Sequence, residues 1–228
     1  MLYVLLDLLV IGFPLALSFD RKVAFYKSWR SVFSAILGIV LIFGAWDVWK
    51  TAIGVWSFSP RYAGSWRFFG LPLGEWLFFI CVPYACIFIL ACVRAYVTDR
   101  FISVPSWFWY ILSAAFFVAG ILLMNKIYTG VVLLSVAIAV FLVRKLTPDN
   151  LSSTNFWLAL AITYVPFIIA NGILTGLPVV LYDDTRNLGF RVFTIPLEDF
   201  FFSLSMLLLS FTFYDFFHPT GKTEQGEV

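Results

Sequence analysis

Two adjacent carboxylates, Glu198 and Asp199, open an apolar run that continues to Phe217, in the stretch Ile195-Pro196-Leu197-Glu198-Asp199-Phe200-Phe201-Phe202. Charge placed in lipid costs roughly 2.5–3.5 kcal/mol per residue even on insertion scales. Such a pair therefore sits at the water interface or is kept for chemistry. The chemistry open to a carboxyl among apolar walls is proton transfer, as donor or acceptor. A structural reading competes with it. Proline is pre-set for the first position of a helix, and the helix dipole favours acids in the first turn.

An earlier stretch, Leu71-Pro72-Leu73-Gly74-Glu75-Trp76-Leu77-Phe78, echoes the later one, with Pro196 lying 124 residues after Pro72. Residues 46–79 lie on 170–203 without a gap. Asp47 falls on Asn171, Thr51 on Thr175, Arg67 on Arg191, Glu75 on Asp199 and Phe78 on Phe202. Apolar coincidences mean little in so apolar a chain. A carboxylate matched to an amide, a Thr, an Arg and a second carboxylate, all in one register, indicate an internal repeat.

Composition says what must position these groups. Of the 228 residues 62% are hydrophobic and 12% charged, against about 45–50% and about 25% in soluble domains. The chain reads as an all-α integral membrane protein. Its net charge of +2 is too small to suggest a nucleic-acid partner. The aromatic share of 20%, with 27 Phe, suits either lipid-facing rings or an interior for a long apolar ligand or a cation. Cys81, Cys86 and Cys92 share one apolar segment, where a disulfide does not fit; no metal-ligand spacing occurs.

At about 20 apolar residues per span, the expected spans are Leu2–Phe19, Val32–Val48, Leu73–Val93, Trp107–Met124, Tyr128–Val143, Phe156–Leu174 and Ile195–Phe217. The first carries Asp7 and reads as a retained span rather than a signal peptide. About seven transmembrane helices then form two parallel three-helix repeats, residues 1–105 and 127–217, joined by a linker span, 106–126. A polar cytoplasmic tail, 218–228, follows. Lys and Arg after spans one, three and five place those ends in the cytoplasm. The connections Lys50–Leu71 and Thr175–Thr194 are long outer loops of the kind that cap a site, and Lys50 falls among their charges.

The Pro-Leu-Glu-Asp-Phe-Phe-Phe stretch at 196–202, with Asn171 and Thr175 before it and Gly189-Phe190-Arg191 between, resembles the integral-membrane lycopene cyclases in their fused tandem form. The family mark is a Pro-x-Glu-Glu/Asp motif opening the last helix of each half. Gly74 departs from it, standing where the first acid of the pair would be. The resemblance implies a redox-neutral β-cyclisation with no cofactor and no metal. An acid protonates the terminal double bond of an acyclic carotene such as lycopene, an internal double bond closes a six-membered ring on the cation, and a base removes a ring proton.

It further implies Glu198 first, then Asp199 or Glu75, as acid and base. Asp47, Asn171, Thr51, Thr175, Arg67 and Arg191 are expected as supporting polar groups, and Phe78, Phe79, Phe200, Phe201 and Phe202 as apolar wall. The implied setting is multi-pass in the cell membrane, among lipid and other carotenoid-pathway enzymes. The rival reading is a membrane transporter or a carotenoid- or lipid-binding protein without catalysis. A retinal protein is disfavoured, because residues 195–217 contain no Lys for a Schiff base.

Overall fold

The computed structural model describes residues 2–218. The expected tail therefore lies, from residue 219 on, outside the described residues. Helix α1 is Leu2–Leu17, with Pro14 inside. A short 3-10 turn leads into α2, Trp29–Ile39, which passes through a π-helical turn at Val40–Gly44 into α3, Ala45–Ala52. Next come β1 (Trp56–Phe58), α4 (Pro60–Ala63), β2 (Arg67–Phe68), β3 (Leu71–Pro72) and the long α5 (Leu73–Tyr96). The chain continues through α6 (Ser106–Leu122), α7 (Ile127–Leu146), α8 (Thr154–Gly176), β4 (Val180–Tyr182), β5 (Arg191–Val192), β6 (Ile195–Pro196) and α9 (Leu197–Phe217).

Among the described residues, five helical stretches are long and apolar enough to cross a membrane: Phe25–Ala52, α5, α7, α8 and α9. Helices α1 and α6 are apolar but have 16 and 17 residues. Every expected span falls on a helix. The second is longer than Val32–Val48, running without a break from Phe25 to Ala52. That corrects the place of Lys50. It belongs to the last turn of α3 and is fully buried, not part of an outer loop. The two long connections are not irregular either, since each folds into short strands.

The 124-residue offset is built into those strands. Hairpin β2–β3 pairs Arg67 with Pro72, and β5–β6 pairs Arg191 with Pro196. Both hairpins turn through a phenylalanine at positive φ, Phe69 (50°) and Phe193 (57°), a region unusual for a bulky residue. Helices α5 and α9 begin 124 residues apart, at Leu73 and Leu197. Strands β1 and β4 pair antiparallel across the two connections, and the central pair, Ser57 with Leu181, are themselves repeat equivalents. A pseudo-two-fold axis therefore passes through that pair. The second helices also correspond in their irregularity: Pro166 in α8 stands where the π turn in the first repeat has Ile42. Either device interrupts the regular hydrogen-bond ladder.

Packing exchanges elements between the repeats. Helix α1 lies along α5 and α7 along α9, whereas α2 packs on α9 and α8 on α5. Their shared core includes Ile39, Phe43, Ile87, Leu90, Phe156 and Phe211. In lipid such contacts hold by close van der Waals fit rather than by escape from water. Helices α6 and α7 fit closely through glycine. A Cβ on Gly130 would lie 2.9 Å from the Gly120 carbonyl and 2.7 Å from Met124 Sδ. Gly130→Leu is expected to part these helices at about 1–3 kcal/mol, read as earlier thermal unfolding of the detergent-solubilised protein.

Candidate active site

The hairpins seat the acids. Leu73 N–H donates to the Trp66 carbonyl (3.2 Å) and Leu197 N–H to the Phe190 carbonyl (3.0 Å), again in 124-residue register. Each hairpin thus fixes the first turn of a central helix, placing Glu75 on α5 and Asp199 on α9. Both carboxyls line one cavity of about 480 Å³ between α1, α5, α8 and α9, together with Asp47 and Asn171.

Asp199 is set up as an acceptor. Tyr128 Oη donates to its Oδ1 (2.5 Å). Asn171 Nδ2 (2.8 Å) and Tyr182 Oη (2.7 Å) donate to its Oδ2. Three donors therefore converge on the two oxygens of one carboxyl. Tyr182 lies on β4, outside the membrane-spanning helices. Burial, and next the neighbouring Asp199 charge, hold its phenol well above the usual range, so it remains a donor. Tyr182 stacks on Tyr128 with centroids 6.0 Å apart, and Trp56 meets both rings edge-on.

Glu75 has different company. Tyr3 Oη donates to its Oε2 (2.9 Å). The Asp47 carboxyl lies beside it, and Asp7 is a further close acid on the same wall. Asp7 Oδ2 and Asp47 Oδ1 are buried without a hydrogen-bond partner among the described residues. Glu75, Asp47 and Asp7 thus crowd one wall of the cavity.

Tyr3–Glu75 and Tyr128–Asp199 are equivalent pairs, with a one-residue slip in the register of the first helix of each repeat. Sequence reasoning stopped its alignment at residue 46 and missed both tyrosines. It named Asp7 only as evidence against a signal peptide, although a lone acid inside an apolar span is itself a signal.

Glu198 lies elsewhere. Successive helical residues point about 100° apart, and Glu198 faces a second, smaller cavity of about 140 Å³ with Thr129, Leu188 and Phe201. Its Oε1 accepts from Thr129 Oγ1 (2.6 Å) and Leu188 N–H (2.8 Å); its Oε2 is buried and unpartnered among the described residues.

Of the other expected residues, Phe78 and Phe202 line the main cavity and Phe201 the smaller one. Phe79 is buried in the helical core and Phe200 packs on Tyr164 and Phe167. Arg67 donates to the Phe58 carbonyl, and Arg191 to Asp184 and the Thr194 carbonyl. Arg67 thus ties its hairpin to β1 and Arg191 braces its own turn, and neither lines either of these two cavities. Thr51 accepts from Trp56 Nε1, and Thr175 bonds the Asn171 carbonyl and the Thr194 hydroxyl. These brace the site from outside.

Comparison with known families decides the assignment. The model of the lycopene cyclase family matches residues 1–93 and 125–217, the second match displaced from the first by the same 124 residues. The chain belongs to the lycopene cyclase family. No curated protein and no solved structure matches it. The family makes it a carotenoid cyclase, with an acyclic carotenoid as substrate. Helix α6 falls between the two matched segments.

Within this cyclase the halves are unequal for steric reasons. Gly74 is the repeat equivalent of Glu198. A Cβ there would lie 2.5 Å from Tyr3 Cγ, so the ring of Tyr3 takes the place of a second acid. Leu174 lines the main cavity, and its equivalent in the first repeat is Lys50. Lys50 Nζ stands 3.6 Å from the Trp46 ring centroid, 4.1 Å from Tyr128 and 4.9 Å from Trp56. Ring faces surround the amine, close to Asp47 and Asp199.

Replacing a buried ionisable group by an apolar residue of similar shape is often neutral or stabilising. Lys50→Met is therefore expected to keep or raise the thermal midpoint while lowering cyclisation. Retention of full activity would show that Lys50 only fills space.

Proposed function

We propose that the protein is a lycopene β-cyclase, closing the acyclic ends of lycopene into β-rings without redox change, to give γ- and then β-carotene. The observation that carries this reading is the meeting of Glu75 and Asp199, one from each repeat, at the polar end of a long apolar cavity.

In this reading all seven apolar helices cross the cell membrane, as repeats 1–105 and 127–217 around a linker span 106–126. The cluster of Glu75, Asp47 and Asp7 holds the proton that is delivered to the terminal double bond. The internal double bond then attacks the tertiary cation, forming the ring bond and moving positive charge to the ring carbon beyond it. Asp199, held by Tyr128, Tyr182 and Asn171, removes the ring proton; one proton enters and one leaves. The rings of Phe78, Phe202 and Trp56 line the cavity and supply π faces to the cation. Arg67, Arg191, Thr51 and Thr175 keep the hairpins and helix ends in place. Glu198 ties α9 to Thr129 of α7 and to the Leu188 backbone.

Cells that accumulate lycopene, expressing this chain, are expected to form cyclic carotene with β-ends, read by chromatography of extracted pigments. Unchanged lycopene, with the protein present in the membrane, would favour the transport or binding reading. General acid–base groups are worth about 10²–10⁴-fold, so Glu75→Gln and Asp199→Asn are each expected to lose at least about 100-fold. Glu198→Gln keeps the Oε1 acceptor and is expected to lose less than about tenfold, the scale of one hydrogen bond. Its unpartnered Oε2 supports a second reading with Glu198 as the acid. A loss as deep as that of Asp199→Asn would decide for that reading.

A further inference from the structure

The main cavity does not end at the carboxyls. Along α5 it is lined from Glu75 to Ile89, fourteen residues or about 21 Å at the helical rise. The carboxyls Asp7, Asp47, Glu75 and Asp199 lie toward one end with the tyrosines and Asn171 beside them, and the lining beyond these is apolar apart from Thr163 and Ser203. Two lining residues are also among the more exposed of the chain: Leu9 on α1 at 63% and Ile169 on α8 at 61%. A residue that lines a cavity and yet is mostly exposed marks its mouth.

This mouth lies between α1 and α8, which touch each other far less than each touches α5. Its rim is broken on both sides by proline, Pro14 in α1 and Pro166 in α8, and both prolines line the cavity. In an all-helical membrane protein, a side opening rimmed by apolar residues faces lipid rather than water.

Resting on the cyclase reading, we propose that the gap between α1 and α8, rimmed by Leu9, Pro166 and Ile169, is the port by which the end of an acyclic polyene passes sideways from the bilayer to the carboxyls. The occupant is a polyene and not a lipid headgroup, because the rim carries no charge to receive one. A chain longer than the cavity leaves its far end in the membrane, so one end enters at a time.

Two measurements test the port. First, Leu9→Trp with Ile169→Trp is expected to slow cyclisation about tenfold or more, the effect of overfilling by roughly 1.4 kcal/mol. Leu5→Trp, also exposed on α1 but away from the cavity, is expected to leave the rate unchanged. Second, the photocrosslinker benzoylphenylalanine is placed at residue 169, or at residue 5 as control, in the Asp199→Asn background. Membranes are loaded with lycopene and irradiated.

Coloured, covalently labelled protein from position 169 and not from position 5 supports the port. Equal labelling at both positions, or none at 169 in a protein whose parent cyclises lycopene, overturns it. If the parent does not cyclise lycopene but position 169 is labelled, the port stands and the catalytic reading fails.

Discussion

A carboxyl group buried among helices in lipid must find hydrogen-bond donors or keep its proton, and the rest of this structure follows from how that demand is met twice. Asp199 is met by three donors, from α7, α8 and β4. Glu75 is met by Tyr3 of α1 and by a neighbouring acid, Asp47 of α3. Each central helix therefore needs the first helix of its own repeat. Asp199 also needs the second helix of its own repeat, and that helix packs on the other central helix. The exchange of α2 and α8 between repeats keeps the two carboxyls at one site instead of two.

The backbone serves the same end. Two hairpins in one register start α5 and α9, the carbonyls of Trp66 and Phe190 at their heads accepting from Leu73 N–H and Leu197 N–H. Of the arginines expected to support the acids, Arg67 bonds the β1 carbonyl of Phe58 and Arg191 the carbonyl of Thr194 in its own turn. Strands β1 and β4 join the two connections over the polar end of the cavity, bringing Trp56, Phe58 and Tyr182 to its wall. What reads as two loops in sequence is a small paired cap.

Duplication supplied the frame, and divergence then made the halves unequal. Tyr3 occupies the space above Gly74, so the first repeat has one acid where the second has two. Lys50 stands where the second repeat has Leu174 and its amine is caged by aromatic rings, whereas Leu174 borders open cavity. One large cavity with an acid cluster on one side and a well-donated carboxylate on the other suits a reaction that needs a proton given and a proton taken at different carbons.

The apolar helices, their order, the repeat and the family were legible in the sequence, because apolar length, proline position and polar residues in register are local properties. The pairing of Glu75 with Asp199 was legible too, since the offset of 124 links them directly. Which neighbours those acids have was not. Tyr3 and Glu75 are 72 residues apart, and Tyr128 and Asp199 are 71 apart, and helices that are apolar all round give no pattern to show which face turns inward. Asp199 and Glu198 are adjacent in sequence, yet about 100° of helical rotation sends one to the main cavity and the other to the small one. The burial of Lys50 was equally hidden, because an aromatic cage is assembled from α3, β1, α7 and α9 and exists only once those elements have packed.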